Sequence, residues 1–64
     1  MTYKEAVKAM RERQKVKLGG IVYKHINAII FRKTKTAELI QVELQDDSNY
    51  NAVTVAKIEK VEKI

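Results

Sequence analysis

The 64-residue chain has no cysteine, no proline, two glycines, one histidine and four aromatic residues. Without cysteine there is no disulfide framework and no thiolate metal site. A domain this short buries only about 60% of its unfolded surface, so apolar packing must hold it together, with oligomerisation as the other remedy open to small chains. No repeat, linker or low-complexity stretch interrupts the 64 residues, which therefore read as a single domain. Aromatics that could stack on bases are few (Tyr23, Phe31 and Tyr50, with Tyr3 expected to pack in the core), which argues against a dedicated reader of single strands. No apolar run approaches the roughly 18 residues of a membrane span. The longest, Ile26 to Phe31, is broken by Asn27, and Met1-Thr2-Tyr3-Lys4-Glu5 lacks the apolar stretch of a signal peptide. A cytoplasmic protein with no membrane partner is the expectation.

Charge is abundant, and it is unevenly placed. The net charge is +5. Residues 1–35 hold ten Lys and Arg against two acids, a net of +8, and residues 36–64 hold three Lys against six acids, a net of −3. Such a split bears on partners and encounter rates rather than on fold.

Thr2-Tyr3-Lys4-Glu5 is a capping box, in which the Thr hydroxyl accepts from the Glu N–H and the Glu carboxylate reaches back. A helix over residues 2–13 follows, burying Tyr3, Ala6, Val7 and Met10 at i, i+3, i+4, i+7 spacing. Its outer face carries Lys4, Lys8 and Arg11. Alternation over 15–18 marks a first strand, and Gly19-Gly20 marks a two-residue hairpin turn into a long second strand over 21–33. Simple continuation of that register places His25 and Asn27 inside and Ile26, Ala28 and Ile30 outside. The conflict predicts a bulge or bend near Lys24-His25 that switches the facing of every later residue. A third strand is expected over 38–45 and a fourth over 52–56. Ile58, Val61 and Ile64 suit a helical turn leading into a last short strand within 57–64. The fold class is α+β: an N-terminal helix followed by four to five short antiparallel strands, as an SH3-like or Sm-like small barrel or as a curved open sheet.

Chemistry leaves little trace. One Ser, one His and no Cys supply no nucleophile–base–orienter set, and a lone His25 has no second imidazole or thiolate with which to bind a metal. Glu38 and Glu43 are five apart on a strand and face opposite ways. Asp47-Ser48-Asn49-Tyr50-Asn51 places oxygen donors at positions 1, 3 and 5 of a calcium loop, but Ala52 and Ile58 stand where that loop needs Gly and Glu. The expectation is a non-enzymatic protein with no cofactor, no metal and no catalytic residues.

Binding remains. Three candidate surfaces emerge: a helix stripe (Lys4, Lys8, Arg11), a first-hairpin face (Lys15, Lys17, Lys24) and a loop tip (Arg32, Lys33, Lys35) beside Phe31. Convergence of these cations would favour nucleic acid or a nucleoprotein as partner, and scatter would favour a role in solubility.

Thr2-Tyr3-Lys4-Glu5-Ala6, Ile26-Asn27-Ala28-Ile29-Ile30-Phe31-Arg32-Lys33, Ile40-Gln41-Val42-Glu43-Leu44 and Val53-Thr54-Val55-Ala56 together resemble small prophage-encoded proteins of Gram-positive bacteria, of the XtrA type. The resemblance implies a phage or prophage setting and carries over no functional residue. In that setting the expectation is an accessory protein that binds DNA or a DNA-bound protein, such as a phage integrase or repressor, and regulates recombination or transcription. The alternatives are a protein–protein inhibitor, such as an anti-defence factor, and a structural homo-oligomer.

Overall fold

The computed structural model describes residues 1–64. One helix, α1 (Tyr3–Arg11), precedes five antiparallel strands: β1 (Val16–Leu18), β2 (Ile21–Lys33), β3 (Glu38–Asp46), β4 (Val53–Lys57) and β5 (Glu62–Lys63). A 3₁₀ turn, Ile58–Lys60, joins β4 to β5. The strands form one sheet in the order β4-β3-β2-β1-β5. Since β4 and β5 occupy its two edges and do not pair, the sheet is open and no closed barrel forms.

α1 begins where the capping box sets it. The Glu5 N–H donates to Thr2 Oγ1 at 3.2 Å, and the Thr2 N–H donates to Glu5 Oε1 at 2.8 Å. The helix stops at Arg11, two residues before the expected end. Glu12 is its C-cap, and Arg13 adopts a left-handed backbone with φ 52°. The Gln14 N–H donates to the Ala9 carbonyl at 2.9 Å and the Arg13 N–H to the Met10 carbonyl at 3.3 Å. These two bonds make a Schellman motif, which satisfies carbonyls that a helix end otherwise leaves without partners.

The buried face of α1 differs from the expected stripe. Ala6 and Ala9 are its buried residues, and their small side chains let the helix approach β2 closely. Val7 and Met10 are half-buried, while Tyr3 is 46% exposed at the end of the helix. The core comprises Ala6, Ala9, Val16, Tyr23, Ile26, Val42, Leu44, Ile58 and Val61. Full burial of each large aliphatic side chain contributes roughly 1.5–3 kcal/mol. Ile64 continues the spacing of Ile58 and Val61, but at 72% exposure it lies outside the core.

The hairpin register is the expected one, with Leu18 opposite Ile21 and Val16 opposite Tyr23. Gly19 and Gly20 both have positive φ, 57° and 80°, the backbone of a two-residue turn matched to strand twist. β2 carries two bulges where one bend was expected. Between Tyr23 and His25 the residue Lys24 is extra, and between Ile26 and Ala28 the residue Asn27 is extra. The first bulge turns Ile26 into the core opposite Leu44. The second reverses the facing again, so Ile29 packs inward opposite Val42 while Ala28 and Ile30 lie on the other face. One bulge cannot satisfy both Ile26 and Ile29, because side chains alternate with a period of two and three residues separate them.

Candidate nucleic-acid interface

α1 arrays Lys4, Lys8 and Arg11 along one face at i, i+4, i+7. With a rise of 1.5 Å per residue the three span ~10 Å, close to the axial rise of about three phosphates on one DNA strand. These cations line a shallow groove together with Tyr3, Val7 and Glu12. The only acid within the helix is drawn away from them: Glu5 Oε2 lies 2.6 Å from Lys63 Nζ. The Lys63 ammonium, followed by the Thr2 N–H, holds the Glu5 carboxyl down at about 2, so it stays ionised and its charge is spent on Lys63.

Tyr3 links this groove to the end of the β2–β3 hairpin. Its ring lies 5.6 Å from that of Phe31, tilted by 52°. Phe31 is 67% exposed, and it lines a second groove with Arg32, Lys33, Glu38, Leu39 and Ile40. Here the cations are partly engaged. Arg32 Nε donates to Gln41 Oε1 at 2.9 Å, and Lys33 stands opposite Glu38 in the ladder. Thr34 shapes the turn: its Oγ1 accepts from the Ala37 N–H at 3.0 Å and donates to the Ala37 carbonyl at 3.1 Å. Lys35 is exposed within that turn.

The expected first-hairpin surface divides. Lys15 and Lys24 line a groove whose other two residues are Arg13 and His25, with no hydrophobic residue among them. Lys17 is not part of it. In the ladder Lys17 stands opposite Val22 and Glu62, and it faces away from its buried neighbour Val16. Lys15 is paired with Asp47, its Nζ lying 3.0 and 3.1 Å from the two carboxylate oxygens. Lys15 and Lys63 are the only two of the thirteen Lys and Arg held in ion pairs.

Thus the structure gathers Lys4, Lys8 and Arg11 in one groove, Arg32 and Lys33 in a second joined to the first through Tyr3 and Phe31, and Lys15 and Lys24 in a third. It leaves Lys17 and Lys35 outside all three. Sequence reasoning missed Tyr3 as an exposed aromatic and Arg13 as a member of the third groove. The signal for Arg13 was its place in the basic run Arg11-Glu12-Arg13-Gln14-Lys15, where helical spacing could not show which way it turns once the helix ends.

The polar turn between β3 and β4 spends its first carboxylate on its own backbone. Asp46 Oδ1 accepts from the Ser48 N–H, the Ser48 hydroxyl and the Asn49 N–H at 2.8–2.9 Å. These bonds, led by that from the Ser48 N–H, lower the Asp46 carboxyl below its ordinary value. No helix in the molecule is long and apolar enough to cross a membrane. Comparison of the chain with known proteins finds no match among protein-family models, curated proteins or solved structures.

Proposed function

We propose that this is a non-enzymatic phage or prophage accessory protein that binds DNA, or a DNA-bound protein such as an integrase or repressor, and regulates recombination or transcription. The observation that carries the reading is the unpaired stripe Lys4-Lys8-Arg11, flanked by the exposed Tyr3–Phe31 pair. Cations without acidic partners release counterions when they meet phosphates, which drives association and makes it salt-dependent. Exposed aromatics beside such cations add contact to bases or sugars. The prophage setting rests on the sequence resemblance. The helix-first order and the long bulged β2 support an SH3-like or Sm-like reading of the sheet, with its edges left open.

A mobility-shift titration of duplex DNA, alone and with a candidate phage recombinase, tests the reading. A shift is expected that the triple variant K4Q/K8Q/R11Q weakens and that K57Q/K60Q retains. Absence of a salt-sensitive shift in either format refutes it.

One observation favours a second reading, a homo-oligomer or an edge-binding protein inhibitor. β4 is an edge strand of five residues, paired with β3 on one side only, with Val53 and Val55 about half exposed, and such edges template pairing with another strand. Light scattering at two concentrations separates the oligomer from the monomer.

A further inference from the structure

Arg13 occupies the position of a Schellman motif where Gly is the usual residue, because a left-handed backbone crowds any Cβ. The other left-handed positions of the chain are filled by Gly19 and Gly20. What Arg13 supplies in return for its strained φ of 52° is a guanidinium: Nη1 lies 3.2 Å from His25 Nε2. A guanidinium carries only donors, so a hydrogen bond at this contact is one in which Nε2 accepts. Residues held in sparsely populated backbone regions cluster at functional sites.

The bulge at Lys24 completes the arrangement. By inserting an extra residue into β2 it brings Lys24 and His25 to the same groove as Arg13 and Lys15. The single bond to His25 fixes the guanidinium while leaving its other N–H donors free. The Asp47 carboxylate stands beside the cradle, held by Lys15.

We propose that Arg13 and Lys24, with Lys15 beside them and His25 as the positioning residue, form a cradle for a phosphate group. The cradle takes one phosphodiester of the nucleic-acid backbone, an assignment that rests on the function proposed above. A planar fork of N–H donors in one groove with the Lys24 ammonium suits the oxygens and charge of a phosphate. Three cationic side chains and an imidazole offer no comparable fit to a cationic ligand.

The test is an NMR titration of the ¹⁵N-labelled full chain in phosphate-free buffer, first with inorganic phosphate and then with a DNA duplex. Saturable shifts are expected at Arg13, Lys15, Lys24 and His25. Arg13→Gly, which suits the left-handed backbone and so keeps the fold, should weaken phosphate binding at least fivefold. Asp47→Asn, which frees Lys15, should strengthen it about twofold. His25→Ala should weaken binding, and His25→Gln, whose amide oxygen can still accept from Arg13, should restore it. Shifts spread evenly over all lysines, or an Arg13→Gly variant that binds like the parent, would overturn the cradle. If inorganic phosphate docks there and the duplex produces no shift anywhere, the cradle stands and the nucleic-acid reading falls. If the duplex shifts α1 but not the cradle, the cradle's assignment falls and the wider reading stands.

Discussion

Left-handed backbone occurs at two places in this chain, and the sequence fills them differently. In the β1–β2 turn Gly19 and Gly20 carry φ of 57° and 80°, with open space where a Cβ would stand. At the exit of α1 Arg13 carries φ of 52°, and its side chain reaches His25. The first turn answers only the geometric demand of joining two strands. The second answers the same kind of demand with a residue that geometry disfavours by roughly 1–2 kcal/mol. Local preference and residue choice agree in one turn and conflict in the other, and such conflicts concentrate where side-chain chemistry is in use.

The comparison breaks first at the glycines. Replacing Gly20 with Ala meets no steric neighbour, so its cost is backbone strain alone, roughly 2 kcal/mol. For a domain of this size that lowers the melting temperature by about 8–16 °C, readable by circular dichroism. An unchanged melting temperature would show that the turn tolerates a Cβ and that the contrast with Arg13 is empty. Arg13→Gly should move the other way, raising stability by about 1 kcal/mol and the melting temperature by about 4–8 °C. A fall would show that Arg13 is retained for the fold.

A smaller effect separates Lys24 from Lys17. The two were equivalent as members of a first-hairpin face, yet Lys24 lines the Arg13 groove and Lys17 stands opposite Glu62. Lys24→Gln should reduce the salt slope of duplex binding by about 0.9, the contribution of one phosphate, and Lys17→Gln should leave it unchanged.

The smallest effect is that of Glu5. Its carboxyl is lowered to about 2 from an ordinary 4.5, chiefly by Lys63. A folded value below the unfolded one means that the pairing contributes stability above about pH 4.5 and loses it as pH falls toward 2. Unfolding free energy followed against pH should therefore decline through that window, and more gently in Glu5→Gln. Identical slopes would remove Glu5 from the account.

Much of the architecture was legible because it depends on local chemistry. The Thr2–Glu5 capping box, the Gly19-Gly20 turn, the Val16–Tyr23 register and the bounds of β2 all follow from residues within a few positions of one another. The second bulge was not legible, since either Ile29 or Ile30 could serve the core and only pairing with Val42 decides between them. Openness of the sheet depends on how the two distant edges meet, which strand periodicity does not encode. At the candidate site the helix stripe was readable from spacing alone. The Arg13 groove was not, because it is assembled from a helix exit, a bulge and a strand start whose relative placement is tertiary. Tyr3 was misread for a related reason: the helical stripe gives its direction but not how far the core extends beneath it, and at that end its ring packs beside the exposed Phe31.

If the unpaired cations of α1, its exit and the hairpin end meet phosphates, the dependence of duplex affinity on salt measures it most directly. With roughly six contacts, the logarithm of the association constant should fall against the logarithm of salt concentration with a slope of about −5. In K4Q/K8Q/R11Q the slope should become shallower by about 3. A slope near zero, or one that the triple variant leaves unchanged, would contradict the account.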